Sequence, residues 1–376
     1  MEIKKKLLCV IGQLGEGGSE KQLHLFLKHL DRQRFEPLVV VSNEVVIDKW
    51  RTAFQKLEIP VETLRKLPGP AKLAAFKLKM FKHKPDLVFS WSFYTNAFNL
   101  TAGKIPFIGS LRGGLEEERS TLSSVNFKLA LSPETIVVNS KALKTELLET
   151  SPATQAALIP NIFEPRFSSS PNRDIMKVKK EARHKLKKNF DFTNASHIIS
   201  GGGGVSPIKR FELWFDTFET LSETLPNIRG ILFGDGPPQT LDEHTRSEKL
   251  KNKILLTGRL PDVSDILLAS DLFFLSSRKE GLPNVLLEAI DAGCAIVSAD
   301  KYGTMDVFGD DKELLDLSMT SSDDSKEIAI KISTLLENPK KRRRAAELAE
   351  KRLAEFAPEK IVPQYHELLD RVLRKN

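Results

Sequence analysis

Two carboxylates eight residues apart, in Glu280-Gly-Leu-Pro-Asn-Val-Leu-Leu-Glu288, are the residues of this chain best spaced to do chemistry. A pair of acids can share general acid and base work, or divide between gripping a polar ligand and orienting a reacting group. Upstream, Leu272-Phe-Phe-Leu-Ser276 is a short apolar run that predicts a buried strand. Downstream, Pro283 followed by Val285–Ile290 predicts a helix with proline near its first position, where the missing N–H costs nothing. Glu280 is therefore expected in the loop at the carboxyl end of a strand, and Glu288 about two turns into the next helix. Open α/β sheets bind ligands at such corners, and a helix start offers N–H groups to phosphate.

Two glycine-rich loops are candidates to face that corner. Gly12-Gln-Leu-Gly-Glu-Gly-Gly18 follows an apolar run and precedes a helix opened by Ser19 and Glu20; Gly15, Gly17 and Gly18 would let the backbone approach a ligand closely. Its spacing is not the dinucleotide G-x-G-x-x-G. No ribose-binding carboxylate ends the second strand either, where Val41-Ser-Asn43 stands with Glu44 just beyond. A tight structural turn is the alternative. Gly201-Gly-Gly-Gly-Val-Ser-Pro-Ile-Lys209 repeats the arrangement in the second half, and Lys209 has the charge to meet a phosphate or, on the plainer reading, to face solvent.

The elements that must position these residues alternate. Strands are predicted at Leu7–Ile11, Pro37–Val41, Leu87–Ser90, Phe107–Ser110 and Thr135–Val138, with helices between them at Glu20–Leu30 and Pro70–His83. The pattern breaks near Leu158-Ile-Pro-Asn161, and Ser168–Asn172 reads as a connector. A charged helix, Lys177–Lys188, follows. Strands then resume at His197–Ser200, Gly230–Phe233, Ile254–Leu256, Asp271–Leu275 and Ala295–Val297, with a charged helix from Pro339 and a last one from Pro363 to Arg374. Strands alternating with helices mean parallel α/β architecture. Two such sets, each with its own glycine-rich first loop, predict two Rossmann-like domains facing one another across a cleft.

With 376 residues the chain is long enough for two cores. Its 40% hydrophobic and 28% charged content is that of a globular protein. No apolar run reaches the length of a membrane span. The basic-then-apolar start, Met1 to Ile11, stops at Gly12 without a cleavage site and reads as a first strand rather than a secretion signal. Cys9 and Cys294 lie in apolar contexts that suit buried free thiols in a reducing cytoplasm. A net charge of +7 favours anionic partners. Nucleic acid is disfavoured, because no zinc-finger, RNP-type or helix-turn-helix signature is present. Pro70–Lys84 carries Leu73, Phe76, Met80 and Phe81 at helical spacing beside Lys72, Lys79 and Lys82. It is either a surface helix packed on a sheet or an in-plane contact with an anionic membrane. Arg342–Arg344 reads as a solvated helix face, and Asp310-Asp311 and Asp323-Asp324 as turn acids.

Together these motifs resemble the retaining GT-B glycosyltransferases of family 4. Glu280 and Glu288 look like that family's E-x7-E signature, with Ala269-Ser-Asp271, Ser276 and Glu288-Ala-Ile-x-x-Gly293 around it. Gly234-Asp-Gly-Pro237 is similar to its G-x-G-x segment, Gly258–Val263 to the loop near the nucleotide base, and Ile159-Pro-Asn161 to the I-P-N-G stretch before the interdomain connector. The resemblance covers nearly the whole chain and is strongest over 197–300. It implies an acceptor-binding domain over 1–165, joined by a C-terminal helix at about 360–376, and a nucleotide-sugar domain over 166–359. It further implies that Glu288 holds ribose hydroxyls and that Glu280 lies near the donor sugar. Leu282, Pro283, Asn284 and Val285 would line the diphosphate, Arg259 and Leu260 the base, and Gly234 the donor. Lys209 would neutralise the leaving phosphate, while Gly17 and Gly18 would approach phosphate or acceptor. The chain departs from the family twice. Gly204 stands where an arginine usually partners the lysine, with Arg210 as a substitute of unknown direction, and Arg112 stands in Ser110-Leu-Arg112-Gly-Gly where histidine is common. By resemblance, Arg112 would contact the sugar or the acceptor. Some relatives share Trp91-x-x-x-x-Asn96 in the preceding loop.

The implied reaction is retaining transfer of a sugar from a nucleotide-sugar, UDP-linked in preference to GDP-linked, with no metal and no other cofactor. The acceptor would be a glycan or lipid-linked molecule of polysaccharide or lipopolysaccharide synthesis, with a soluble acceptor, as in sugar-phosphate or small-thiol glycoside synthesis, as the alternative. The front-face mechanism this resemblance implies has no carboxylate nucleophile, so Glu280 would not be one; charge growing on the departing phosphate would be met by fixed N–H groups and Lys209. The rival readings are a nucleotide-sugar epimerase or hydrolase of the same fold, and a non-catalytic GT-B binding module. The expected location is cytoplasmic, extended by peripheral attachment at the inner face of the membrane.

Overall fold

The computed structural model describes residues 3–64, 67–168, 175–190, 192, 194–204, 206–234, 250 and 252–375. Val205, the 169–172 stretch of the connector and the 235–237 part of the G-x-G-x segment lie outside them. The chain divides into two compact units, the first Met1–Ile162 with Phe356–Asn376 and the second Phe163–Glu355.

In the first unit the order is β1 (Lys5–Ile11), α1 (Gly18–His29), β2 (Phe35–Val41), α2 (Asp48–Lys56), β3 (Val61–Thr63), α3 (Gly69–His83), β4 (Leu87–Ser90) and a 3-10 segment, Phe93–Thr101. Then come β5 (Phe107–Leu111), α4 (Leu115–Thr121), α5 (Ser124–Ala130), β6 (Thr135–Val138), α6 (Lys141–Thr150) and β7 (Gln155–Leu158). The seven strands form a parallel sheet of order β3-β2-β1-β4-β5-β6-β7. Its central strands β4, β5 and β6 are buried along their length, which is why they read as unbroken apolar runs. The two strands without such a run, β3 and β7, are the edge strands, where burial is partial.

The second unit repeats the plan with α7 (Ile175–Phe190), β8 (His197–Gly202), α8 (Phe211–Thr224), β9 (Ile228–Phe233), β10 (Ile254–Gly258), α9 (Ser264–Ala269), β11 (Leu272–Leu275), α10 (Asn284–Asp291) and β12 (Ala295–Ser298). Helices α11 (Gly303–Phe308), α12 (Lys312–Ser318), α13 (Ser325–Glu337) and α14 (Pro339–Arg352) follow, and the parallel sheet has order β10-β9-β8-β11-β12. Both sheets therefore reverse winding beside their first strand, between β1 and β4 and between β8 and β11. The carboxyl ends at such a reversal diverge and leave a crevice for ligand.

The last helix, α15 (Pro358–Arg374), belongs to the first unit. It begins at Pro358 rather than at Pro363: Pro358 takes the first helical position, where it lacks only an N–H that would have no partner. Tyr365 on α15 is fully buried against Phe26 and Trp91. The unit boundary at 162/163, against 165/166 expected from the sequence, follows hydrogen bonds. Gln22 holds both backbone groups of Ile162, donating from Nε2 at 3.0 Å and accepting at 2.7 Å. Buried Asp291 on α10 instead accepts from the backbone N–H groups of Arg166, Phe167 and Ser168 at 2.8–3.2 Å. Both cysteines are free and buried, and burial pushes their thiols up, that of Cys294 to about 11.

Trp91-x-x-x-x-Asn96 is explained by packing. Asn96 is wholly buried, donates Nδ2 to Ser110 O and Ala130 O at 3.1 and 3.0 Å, and accepts from Ser110 N at 3.0 Å. Its amide thus ties the 3-10 segment to β5 and α5. Asn96→Ala leaves three buried backbone groups without partners, so a loss of about 3 kcal/mol or more is expected, read as a lowered unfolding midpoint of the first unit.

Candidate active site

The residues at the β8/β11 reversal are drawn together by main-chain geometry. Past β8 the chain passes Gly203, at φ +145°, then a single 3-10 turn, Pro207–Lys209, and enters α8 through Arg210 in the left-handed region at φ +47°. That conformation costs an L-residue about 1 kcal/mol, and Arg210 is held there by its side chain. Its Nε donates to Ser276 O at 2.9 Å, its Nη2 to Ser277 O at 3.3 Å, and its Nη1 pairs with Asp323 at 2.9 Å. Ser276 Oγ donates to Lys209 O at 2.7 Å, and Arg278 N to Ile208 O at 2.8 Å. These bonds lace the loops after β8 and β11 together.

Lys209 and Glu280 meet in that lacing. Lys209 Nζ lies 2.5 Å from Glu280 Oε1, which also accepts from Ser277 Oγ at 2.6 Å. The two side chains are 19% and 13% exposed. Water therefore screens their attraction little. The ammonium keeps further N–H capacity for an anion.

Beneath them lies Asp300, a carboxylate that belongs to none of the motifs read from the sequence. It follows β12 closely, and an acid at the carboxyl end of a strand was the available signal. Asp300 is fully buried and accepts from Glu280 N (3.2 Å), Tyr302 N (3.0 Å), Thr304 N (2.7 Å) and Thr304 Oγ1 (2.9 Å). Burial, aided by the nearby charge of Glu280, pushes its carboxyl up to about 6. Two close approaches fix the same region: a Cβ on Gly303 would lie 1.8 Å from Gly281 O, and one on Gly234, at φ +112°, 2.0 Å from Gly203 O. Only glycine fits either place.

The other candidate residues fall around this cluster. Leu282 and Pro283 are buried, and Asn284 and Val285, at the start of α10, are both half-buried. Pro283 is the N-cap and not the first helical residue, so Glu288 is the fifth residue of α10, a little over one turn in. It is half-buried, with Leu287 and Ala289 beside it buried. Gly204 faces open space, with nothing within 4 Å of a Cβ built on it. Arg259 and Leu260 follow β10, two strands from the reversal in the sheet order. Asp311 and Asp324 cap α12 and α13, as turn acids should, whereas Asp323 pairs with Arg210. Arg342 is not solvated: it donates to Leu336 O at 2.6 Å. Among the described residues, no group of three or more His, Cys, Asp or Glu side chains is placed to hold a metal ion.

In the first unit, Gly15 N donates to Glu20 Oε1 at 3.2 Å, Trp50 Nε1 donates to Gly15 O, and a Cβ on Gly17 would lie 2.3 Å from Glu20 Oε2. The glycine loop, with Gly17 capping α1 and Gly18 opening it, is folded over the buried carboxylate of Glu20. An arriving phosphate would meet negative charge there, whereas a hydroxyl would find an acceptor. Nearby, Asn43 donates to Tyr94 Oη at 3.2 Å and accepts from Lys72 at 2.9 Å. Burial, helped by Glu117, pushes Glu118 up to about 7. Arg112 is engaged within its own unit: its guanidinium lies 4.2 Å from the Trp91 ring centroid and donates to Tyr365 Oη at 3.2 Å and Asn161 Oδ1 at 3.4 Å. It pins α15 to the sheet.

Known proteins carry the same plan. Residues 182–352 match the model of the family described as glycosyl transferases group 1. The chain is 27% identical over 219 residues to N-acetyl-alpha-D-glucosaminyl L-malate synthase of Bacillus anthracis, covering 54% of this chain and 55% of that one. It is 32% identical over 117 residues to N,N'-diacetylbacillosaminyl-diphospho-undecaprenol alpha-1,3-N-acetylgalactosaminyltransferase of Campylobacter jejuni, covering 31% and 30%. The matches thus span about half and under a third of these relatives. The structure of HepE from Anabaena in complex with UDP-glucose superposes with a TM-score of 0.81 at 22% identity, over 97% of this chain and 99% of that one. The fold is the α/β, doubly Rossmann-like GT-B plan.

Asp300 supplies a pH test. Its folded value near 6 lies above the ordinary carboxyl value of 3.8, so its contribution to stability is present below the unfolded value and is lost as pH rises through 6. Between pH 4 and 6 the unmodified protein should lose about 2 kcal/mol relative to Asp300→Asn, measured as the difference between their denaturation curves across that window.

Proposed function

We propose, from the match of residues 182–352 to the glycosyl transferases group 1, that the protein is a retaining, metal-independent glycosyltransferase using a UDP-sugar. The observation that carries the reading is the Lys209–Glu280 pair at the β8/β11 reversal, next to the start of α10. Departure of a nucleoside diphosphate concentrates negative charge on phosphate oxygens. Lys209 and the N–H groups opening α10 meet that charge where it develops, which lowers the barrier without reorganisation. Glu288 takes the ribose hydroxyls. Glu280, held by Lys209 and Ser277, orients the donor sugar rather than attacking it.

UDP is favoured over GDP because HepE, which shares the fold, was captured with UDP-glucose. The acceptor side is assigned to the first unit, where Glu20 inside its glycine loop suits a hydroxyl better than a phosphate. A lipid-linked glycan acceptor of surface polysaccharide or lipopolysaccharide synthesis, handled in the cytoplasm, is in keeping with the diphospho-undecaprenol in the name of the Campylobacter relative. The Bacillus relative, named for L-malate, favours a second reading in which the acceptor is a small soluble hydroxy compound.

A thermal-shift screen over UDP- and GDP-sugars should find a UDP-sugar that raises the unfolding midpoint, and transfer should persist in EDTA. Glu288→Ala should weaken UDP binding by on the order of 30-fold, about 2 kcal/mol, and Glu280→Ala should lower kcat more than affinity. Gly204→Arg has room for its side chain and should tighten UDP binding by about tenfold. Epimer formation without acceptor, or no binding of any nucleotide-sugar, would sink the proposal.

A further inference from the structure

Helix α3 has two apolar faces, and only one of them is used by the fold. Phe76 and Met80 are buried and Leu73 is partly buried in a cluster shared with β1 and β4, with Phe76 stacked on Phe98 at 4.4 Å. Phe81, expected in that same stripe, is instead 78% exposed, and Leu78 is 70% exposed. At 100° per residue, Ala74, Leu78 and Phe81 fall on one line of the helix, about opposite Phe76 and Met80. Lysines flank that line on both sides: Lys77 and Lys84 along one, Lys79 and Lys82 along the other. Lys79 and Lys82 share Glu62; against the opposing effect of burial, hydrogen bonds from Lys79, Lys82 and His83 hold its carboxyl down at about 2. Lys82 is still 63% exposed, and Lys77 and Lys84 are exposed as well.

Two large apolar side chains standing in water are unfavourable by area alone, and a row of them edged by long basic side chains has one fitting partner. The apolar tips enter an acyl layer while the lysine stems lie along it and their ammonium groups stay among anionic headgroups. An acidic bilayer supplies negative charge along the whole length of both flanks and needs no matching groove, which suits a straight apolar row edged by lysines. The chain's net charge of +7 acts in the same direction. We propose that the outer face of α3, with Leu78 and Phe81 as its inserting residues, docks on an anionic lipid surface.

The test is sedimentation of the full chain with vesicles of phosphatidylcholine alone or with added phosphatidylglycerol, and it requires no transfer activity. The unmodified protein should pellet with the anionic vesicles, stay in solution with neutral ones, and be released by salt. Leu78→Ser/Phe81→Ser alters only exposed side chains and should bind at least tenfold more weakly while keeping its unfolding midpoint. Lys77→Glu/Lys84→Glu should be weaker by tenfold or more. Equal pelleting of the serine variant overturns the proposal, as does failure of the unmodified protein to pellet. If the serine variant instead converts a dimer to a monomer on gel filtration with vesicle binding unchanged, the face is an interface between copies and the lipid assignment is wrong.

Discussion

The candidate site of the second unit is centred on one contact between opposite charges, the Lys209–Glu280 pair, which joins two loops that the sheet topology drives apart. Strands β8 and β11 are neighbours, but their following helices leave in opposite senses, and the pair closes that gap together with the bonds from Arg210 to Ser276 O and Ser277 O and from Ser276 to Lys209 O. Glu280 itself is held by Lys209, by Ser277 Oγ and, through its backbone N–H, by Asp300. The result is a corner in which positive charge, helix N–H groups and a fixed carboxylate converge. Such preorganisation is what electrostatic stabilisation of a leaving group requires.

The first unit has a comparable dependence on Arg112. Its cation lies on Trp91 while its N–H groups reach Tyr365 and Asn161, so one side chain ties the last helix, the sheet and the end of the unit's main stretch together. An arginine is suited to this because its planar group can stack and donate at once. The same engagement makes its chemistry structural in this conformation, whatever else a ligand asks of it.

Most of the fold is legible in the sequence because buried parallel strands leave continuous apolar runs, and the strands from Leu7–Ile11 to Ala295–Val297 can be placed on that ground. The edge strands β3 and β7 cannot, since more exposed residues such as Glu62 and Gln155 break the run. In the site, Glu280, Glu288 and Lys209 stand out by spacing and by family resemblance. Asp300 and Asp291 do not, because their importance lies in accepting several backbone N–H groups that are distant or irregular in sequence. Phe81 falls on the other face of α3 from the one its spacing suggests, for a related reason. A helix with two apolar faces has no single period from which to tell core from surface, and only burial separates them.

The two cysteines have a practical consequence. Thiol chemistry runs through the thiolate, and both Cys9 and Cys294 are enclosed in apolar surroundings that hold them protonated at neutral pH. The folded chain should therefore be silent toward maleimides and mild oxidants. A cysteine introduced anywhere on its surface becomes a unique handle for a dye or spin label, with no need to remove the native pair first.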